Sequence, residues 1–406
     1  MPDKNPSSSP HSTTTEARPA TVLLVDDEPF NLDLLEQELS GLGLDIRKAA
    51  NGREALDLVA ESPPDMIFLD LMMPIMNGFS TLEALQAHED WREIPVVIVS
   101  ASSDLENIVR GIEMGAADFL PKPFEPAILQ ARLDAGLEKK RLRDLEQRYL
   151  KSLQRELEIG REIQAGFLPK EIPQPDGWQI QAHFQAAREV SGDFYDVFKV
   201  GPGKIGLLLG DVTDKGVGSA MYMALYRTIL RSSMLADTFG QDLEAADCAT
   251  PEDCLLHSVQ LANRYIYKLH DSAMLATLFF AILNTETGDL CYINAGHDLP
   301  CILRGNMIQT QIQPTGPIVG AIEEAVYKVE TLNLESGDSL VLYSDGITDA
   351  QDVGGERLGS ERFRALLQQP VTAPSERFAA ILAALDQHLE GADQFDDITL
   401  LMVSRA

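Results

Sequence analysis

The stretch IFLDLMMPIMNGF, residues 67–79, joins a short apolar run to a carboxylate and then to a turn rich in Pro, Asn and Gly. A short apolar run bounded by turn residues is typical of a strand that is buried on both faces. Asp70 therefore lies at the carboxyl end of a predicted strand. The neighbouring parts of the chain repeat this arrangement.

Three more apolar segments of the same kind surround this stretch. They are TVLLV (21–25), IPVVIVS (94–100) and DFLPKPF (118–124). Helical patterns alternate with them, and this alternation predicts a parallel sheet with helices on both faces. Because ligands of such sheets bind at the carboxyl ends of the strands, we expect the polar residues there to form one site. Those residues are Asp26, Asp27, Asp70, Ser100 and Lys122.

The residues of this predicted site suit phosphoryl chemistry. Three carboxylates repel one another unless a divalent cation lies among them, and Mg²⁺ prefers oxygen ligands. A carboxylate beside the metal can accept a phosphoryl group, whose oxygens Lys122 and the Ser100 hydroxyl can then bind. The alternative is that Asp26 and Asp27 only cap a helix and that Asp70 is an ordinary loop residue. Five such residues, each at a strand end, favour the site.

These segments also resemble a known family. LLVDDEP (23–29), IFLDLMMPIMNGF (67–79), VIVSAS (97–102) and FLPKPF (119–124) are similar to the receiver domain of bacterial response regulators, over about residues 20–138. The resemblance implies a flavodoxin-like doubly wound fold and phosphorylation of Asp70 by a partner histidine kinase. It also implies Mg²⁺ binding by Asp26, Asp27 and Asp70, a switch hydroxyl at Ser100, an aromatic switch at Phe119 and phosphoryl binding by Lys122.

A long charged segment follows, and we predict that residues 139–168 form a helical linker. Between residues 129 and 163 no Pro occurs and charges of both signs alternate, as in a solvated helix. The apolar positions are Leu129, Leu133, Leu137, Leu142, Leu145, Tyr149, Leu153 and Leu157. From Leu142 the spacings are 3, 4, 4 and 4, which predicts a parallel two-stranded coiled coil with a stutter at its last step, and hence a homodimer. The alternative is a single helix packed on its own domain.

Residues 169–406 are predominantly β in pattern, with two helical stretches near residues 218–234 and 251–269. This grouping predicts two sheets covered by helices, an α/β/β/α sandwich. Acidic residues from remote parts of the chain lie beside small residues or strand ends, where they are candidate ligands for hard divalent cations. They are Asp193, Asp211, Asp345, Asp396 and Asp397. His297 is a candidate for acid–base chemistry, although a histidine in such a turn is more often a structural hydrogen-bonding group.

The same region resembles the PPM-type, metal-dependent serine/threonine phosphatases, and specifically their SpoIIE/RsbU-like bacterial branch. The similarity spans about residues 160–404. The matching motifs are EIQAGFLP (162–169), EVSGDFYDVF (189–198), LGDVTDKGVGSAMYMA (209–224), LATLFFAILNTETGDLCYINAGHDLP (275–300), LVLYSDGITDA (340–350) and FDDITLLMV (395–403).

This second resemblance implies two Mn²⁺ or Mg²⁺ ions that activate water for attack on a phosphoserine. Asp211 would bridge the two ions with the backbone of Val212 beside it, and Asp193 would hold a metal or its bound water. Asp345 and Asp396 would complete the second metal site. The implied substrate is a phosphorylated STAS-type anti-sigma-factor antagonist. The rival interpretation is a non-catalytic adaptor that binds a sigma factor or its regulator under receiver control.

Composition and charge limit which other partners and which cellular location we expect. The 406 residues carry a net charge of −30, so nucleic acids and anionic membranes are poor general partners. No signal peptide opens the chain and no apolar run reaches the length of a membrane span, so we expect a cytoplasmic protein. The four cysteines form no Cys-x-x-Cys pair and are expected to be reduced core thiols. Residues 1–19, rich in Ser, Thr and Pro, are predicted to be a disordered tail.

Overall fold

The computed structural model describes residues 18–101, 105–235, 250–269 and 274–406. The predicted tail, apart from its last two residues, and Cys248 lie outside these ranges. The chain divides into two compact units, Met1–Ser152 and Leu153–Ala406. Within the ranges that the structure covers, no helix is both long and apolar enough to cross a membrane.

The first unit contains a five-stranded parallel sheet in the order β2-β1-β3-β4-β5. Its strands are β1 (Thr21–Val25), β2 (Asp45–Ala49), β3 (Met66–Asp70), β4 (Val96–Ala101) and β5 (Asp118–Lys122). The strand order reverses between β1 and β3, and in doubly wound sheets the ligand crevice lies at this point. The predicted flavodoxin-like fold is confirmed, and Asp26 and Asp70 border the crevice.

Helices cover both faces of this sheet, which is why its central strands are apolar except near their ends. The helices are α1 (Pro29–Leu39), α2 (Gly52–Glu61), α3 (Gly78–Ala87) and α4 (Leu105–Glu113). Successive residues of β3 point to opposite faces. Ile67 and Leu69 enter one apolar cluster, while Met66 and Phe68 enter the other.

Helix α5 (Pro126–Ala165) is 40 residues long. Leu129 and Leu133 are buried against the receiver sheet, and Leu137 packs at the edge of the same cluster. Farther along the helix, Leu145 and Tyr149 are 57% and 68% exposed. The predicted apolar stripe is therefore buried near the start of the helix and exposed in its middle.

The second unit is built on two antiparallel five-stranded sheets, in the orders β13-β10-β9-β8-β7 and β12-β11-β14-β15-β6. The strands are β6 (Trp178–Gln185), β7 (Asp193–Gly201), β8 (Lys204–Val212), β9 (Ala276–Asn284), β10 (Asp289–Ala295), β11 (Cys301–Arg304), β12 (Met307–Gln311), β13 (Glu330–Asn333), β14 (Asp338–Tyr343) and β15 (Ile398–Arg405).

Three apolar layers hold this unit together. One layer lies between the sheets and includes Tyr195 and Leu401, and helices supply the two outer layers. The helices are α6 (Val217–Leu235), α7 (Pro251–Lys268), α8 (Asp345–Thr348), α9 (Gly359–Leu367) and α10 (Pro374–His388). The predicted α/β/β/α sandwich is confirmed.

The prediction of two helical stretches in residues 169–406 was incomplete, because α9 and α10 also form there. They cover the second sheet through Phe363, Ile381 and other buried apolar residues. The strands β2, β12 and β13 were also missed. Each of these lies at the edge of its sheet and is largely polar, so it lacks the apolar run that marks a buried strand.

Candidate functional site

Lys122 joins the two buried carboxylates of the receiver crevice. Its Nζ donates to Asp26 Oδ2 at 2.7 Å and to Asp70 Oδ1 at 2.5 Å. The second oxygen of Asp70 accepts from the Met72 backbone N–H at 2.9 Å. Asp26 also accepts from the Asn31 side chain at 3.0 Å. These contacts come from β1, β3 and β5, so the strand ends converge as the sequence predicts.

The other predicted receiver residues surround this pair. Ser100 is buried at the end of β4, and Asp27 is exposed beside Asp26. Phe119 is half-buried against the receiver core, with the Arg132 guanidinium 6.0 Å from its ring centre. All of these residues lie on β1, β4 or β5 or at their carboxyl ends.

Lys122 offsets part of the negative charge of this crevice. Burial raises the pKa of Asp70 by more than its hydrogen bond to Lys122 lowers it. Burial alone would lower the pKa of Lys122, but the hydrogen bonds to Asp26 and Asp70 outweigh it and raise that pKa. The ammonium group thus offsets carboxylate charge in the crevice, whose oxygen donors suit a hard cation such as Mg²⁺.

A second acidic cluster lies at one end of the sandwich. Asp193 at the start of β7 is opposite Asp211 near the end of β8. Asp193 is buried, and its Oδ2 accepts a hydrogen bond from Thr399 Oγ1 at 2.5 Å. The antiparallel pairing of adjacent strands therefore places two of the predicted ligands side by side.

Two glycines allow the backbone segments of this cluster to approach closely. A Cβ at Gly346 would lie 1.9 Å from the Asp397 carbonyl oxygen, and a Cβ at Gly192 would lie 2.7 Å from that of Val212. Any side chain at either position would push the acidic segments apart. The small residues beside Asp193 and Asp345 are therefore required by packing.

The negative charge of this cluster is poorly offset. Burial, followed by repulsion from Asp345, Asp396 and Asp397, raises the pKa of Asp211 to about 7. Burial and the neighbouring Asp211 likewise hold the pKa of Asp193 well above its usual range. Lys215 approaches from the loop after β8 and pairs with Asp396 at 2.8 Å.

The donor set fits a hard divalent cation, because it consists of carboxylate and backbone oxygens around an excess of negative charge. Nevertheless, among the described residues no three His, Cys, Asp or Glu side chains meet in the arrangement of a metal site. The assignment of Asp193, Asp211, Asp345, Asp396 and the Val212 backbone as metal ligands therefore stays a prediction.

Asp397 is engaged in hydrogen bonds to the segment before β7. Its Oδ2 accepts from Ser191 Oγ at 2.6 Å and from the Gly192 N–H at 2.9 Å, while its Oδ1 accepts from the Ala187 N–H at 2.8 Å. These contacts occupy both oxygens of the carboxylate. Asp397 thus orients the backbone that leads into Asp193.

His297 is fully buried at the turn after β10. Its Nδ1 lies 2.9 Å from Thr277 Oγ1, and its backbone N–H donates to Asn294 Oδ1 at 2.8 Å. Burial lowers the pKa of His297 to about 4. The imidazole is therefore neutral at physiological pH, and these contacts suit a structural group.

One member of the acidic cluster was missed by sequence reasoning. Asp298 follows His297, and burial together with the nearby Asp345 and Asp349 raises its pKa to about 6. It also contributes to the raised pKa of Asp211. The available signal was its place in the motif AGHDLP, but an aspartate before Leu-Pro carries no metal-binding pattern of its own.

Comparison with known proteins agrees with this architecture. The family model for stage II sporulation protein E (SpoIIE) matches residues 201–406, just over half of the chain. The chain belongs to the SpoIIE family. A second model, for the response regulator receiver domain, matches residues 22–134. The receiver match lies in the first compact unit and the SpoIIE match in the second.

Individual relatives of this SpoIIE-family chain each match a part of it. Protein IcfG from Synechocystis sp. is 40% identical over 262 residues, which are 62% of this chain and 41% of that protein. The DNA-binding response regulator MtrA from Mycolicibacterium smegmatis is 40% identical over 116 residues, 29% of this chain and 50% of that protein. This chain thus spans about half or less of the length of these curated relatives.

A solved structure shares the fold of the second unit. The SiaA-PP2C domain of Pseudomonas aeruginosa superposes with a TM-score of 0.51 at 21% identity and covers 64% of this chain and 98% of that domain. At this identity the likeness concerns the fold alone. The SpoIIE-family region therefore has a PP2C-type architecture.

Proposed function

We propose that this protein is a two-component response regulator in which phosphorylation of Asp70 controls a metal-dependent protein serine/threonine phosphatase. The observation that carries the proposal is the partly buried acidic cluster around Asp211. Carboxylates from several remote segments crowd together there, and burial and mutual repulsion raise the pKa of Asp211 to about 7. Such a cluster favours divalent cations as partners.

The residues of the cluster have distinct roles in this proposal. Asp193, Asp211, Asp345 and Asp396 would hold two Mn²⁺ or Mg²⁺ ions. Bound ions of this kind lower the pKa of a water molecule and offset phosphate charge. Asp397 orients the segment that carries Asp193 through its three hydrogen bonds.

In the receiver, Asp70 would be the phosphoacceptor, with a histidine kinase as phosphodonor. Asp26 and Asp27 would hold Mg²⁺, and Lys122 would bind the phosphoryl oxygens. Ser100 and Phe119 would respond as switch residues. Asp70 Oδ1 already lies 2.5 Å from Lys122 Nζ, which supports a role for this ammonium group beside the modified carboxylate.

The proposed substrate is a phosphorylated STAS-type anti-sigma-factor antagonist, as the family resemblance implies. The proposed working form is a cytoplasmic homodimer paired through α5. In support, Leu142, Leu145, Tyr149 and Leu153 form an exposed stripe at coiled-coil spacing, each between 42% and 68% exposed. A second copy of the same helix would bury this stripe.

The test compares wild-type protein with Asp211→Ala in Mn²⁺-dependent hydrolysis of p-nitrophenyl phosphate and of a phosphoserine peptide. We expect the metal-dependent rate to fall at least about 100-fold, since even residues behind metal ligands change activity by about 10–100-fold. Asp386→Ala, an exposed carboxylate on α10, is the matched control.

The same assay with beryllofluoride, a mimic of phospho-aspartate, tests the receiver. We expect a changed rate and a changed molar mass in wild type, and neither change in Asp70→Asn. Equal rates in wild type and Asp211→Ala in both receiver states would overturn the enzyme proposal and favour the adaptor. An unchanged rate and mass on adding beryllofluoride would overturn the control by Asp70.

A further inference from the structure

Lys215 lies beside the acidic cluster, in the turn between β8 and α6. Its Nζ pairs with Asp396 Oδ2 at 2.8 Å and donates to the Phe395 carbonyl at 3.0 Å. The ammonium group also lies 4.6 Å from the centre of the Phe395 ring. Within the described ranges, no other lysine or arginine forms an ion pair with a carboxylate of this cluster. Lys215 therefore brings a positive charge to the edge of an acidic site.

The backbone of this turn holds Lys215 in a conformation that costs energy. Asp214 has a φ of 74°, in the left-handed region that residues other than glycine seldom adopt, and Gly216 has a φ of 99°. The Asp214 carboxylate accepts the Lys215 N–H at 2.8 Å, which stabilises the turn. The Lys215 side chain thereby reaches a segment 180 positions away. Strained conformations cluster at functional sites, so this turn favours a functional role for the side chain that it carries.

The charge of Lys215 acts on both residues proposed for the second metal site. Asp396 is its direct partner. Burial raises the pKa of Asp345, and repulsion from neighbouring carboxylates adds to this rise, whereas the charge of Lys215 opposes it. The Lys215 side chain is nevertheless 33% exposed, and the neighbouring Phe395 is 52% exposed. A molecule that approaches the cluster from solvent can therefore reach the ammonium group.

Divalent cations would change what holds Lys215 in place. The four carboxylates proposed to hold two such ions carry as much negative charge as the ions carry positive charge. Asp396 would then no longer need the ammonium group as its counter-charge. The Phe395 carbonyl and ring carry no net charge, and they would still hold Nζ beside the cluster. Lys215 would thus keep its positive charge beside the site, with no carboxylate to offset it.

We propose that Lys215 binds the phosphoryl group of the phosphoserine substrate. The positive charge left beside the metal-loaded cluster suits a phosphoryl oxygen, because hydrogen bonds between two charged groups are the strong ones. In the metal-free chain the same side chain pairs with Asp396 and competes with a divalent cation for this carboxylate. The proposal deepens the proposed function and rests on it, since it names a substrate-binding residue of the same site.

Two equilibrium titrations of the full chain test this role. Mn²⁺ binding is measured by electron paramagnetic resonance, and binding of inorganic phosphate, the reaction product, is measured by calorimetry at saturating Mg²⁺. In Lys215→Met we expect phosphate to bind about tenfold more weakly, because one hydrogen bond between charged groups is lost. Mn²⁺ should bind at least as tightly as in wild type, because its competitor for Asp396 is gone.

Lys215→Arg and Lys199→Met are the matched controls. Arginine keeps the charge, so phosphate affinity should fall less than in Lys215→Met. Lys199 is exposed at the far end of β7 from Asp193, so Lys199→Met should bind Mn²⁺ and phosphate as wild type does. In hydrolysis of the phosphoserine peptide, Lys215→Met should raise KM more than it lowers kcat, as expected for a residue that binds substrate and transition state alike.

Unchanged phosphate affinity in Lys215→Met would overturn the proposal. A loss of Mn²⁺ affinity as large as the loss for phosphate would also overturn it, because Lys215 would then only tie the turn to the segment before β15. These outcomes differ from a failure of the proposed function. A wild-type protein that binds Mn²⁺ without hydrolysing phosphoserine would refute the phosphatase, while the phosphate titration would still decide the role of Lys215.

Discussion

The two acidic sites of this protein differ in how their negative charge is offset. In the receiver, Lys122 lies between Asp26 and Asp70 and donates to both. In the SpoIIE-type region, Asp211 faces several other carboxylates, while Lys215 pairs with Asp396 at the edge of the cluster. One site contains its own cation, and the other leaves an excess of negative charge.

This contrast agrees with the chemistry proposed for each site. A carboxylate that accepts a phosphoryl group needs a positive neighbour that stays in place before and after modification, and Lys122 meets that need. A site that binds two divalent ions must instead keep its carboxylates available for them. Stability should therefore respond to loss of a lysine in the first site and to added metal in the second.

The largest expected effect is that of Lys122→Met on the receiver. Removing one partner of a buried ion pair costs about 3–5 kcal/mol, and since Lys122 is partly exposed we expect about 3 kcal/mol. Mg²⁺ should restore part of this loss by taking the place of the ammonium group. Urea unfolding with and without Mg²⁺ measures both effects.

Lys48→Met is the control for this variant. Lys48 forms surface ion pairs with Asp33 and Glu36, and exposed pairs are worth at most about 1 kcal/mol. Equal losses in the two lysine variants would show that Lys122 offsets no buried charge.

The next effect is stabilisation of the SpoIIE-type region by metal. A ligand that binds the folded state at 100 times its Kd stabilises by about 2.7 kcal/mol. We expect Mn²⁺ to do so in wild type and to have almost no effect on the melting of this region in Asp211→Asn. Thermal melting over a range of Mn²⁺ concentrations checks this, with Asp386→Asn expected to behave as wild type. If the Tm of wild type did not change with Mn²⁺ concentration, the proposed difference in charge between the two sites would be contradicted.

The smallest expected effect concerns Asp338, a buried carboxylate that is paired with the guanidinium group of Arg304. Arg304 donates to it twice, at 2.8 and 2.9 Å. Burial alone would raise the pKa of Asp338, but Arg304 and the Glu335 N–H outweigh it, so the pKa lies below its usual value. Its stabilising contribution is therefore present above the unfolded pKa of about 3.9 and is lost as the pH falls through the folded pKa.

Asp338→Asn tests this sign. We expect a loss of about 2 kcal/mol at pH 7, as for hydrogen bonds to charged groups. The difference from wild type should shrink below about pH 4, which urea unfolding at a series of pH values measures. A difference that grew on acidification would contradict the lowered pKa.

Much of the fold could be predicted because its strands are short apolar runs bounded by turn residues. β1 was predicted with its observed ends, and β4 and β5 to within two residues at each end. The edge strands β12 and β13 were missed because one or both faces are exposed, so their composition is that of a loop. α9 and α10 carried a helical apolar pattern that strand-rich surroundings obscured.

For both sites, the sequence predicted most of the residues that take part but not which of them contact one another. Asp26, Asp70 and Lys122 could be named because parallel strands bring their carboxyl ends together. The bridging position of Lys122 could not, since it depends on side-chain geometry across three strands. Asp298 was missed for a similar reason, because its proximity to Asp345 arises only when two turns meet.

The sequence by itself determined both folds, the acidic composition of both sites and the helical nature of most of residues 139–168, since these depend on local apolar patterns and on residue type. Tertiary structure decided how charge is offset. Ninety-six positions separate Lys122 from Asp26, and 206 separate Ser191 from Asp397. Such contacts exist only after the chain has packed, because no local pattern specifies which distant carboxylate a lysine or a serine will meet.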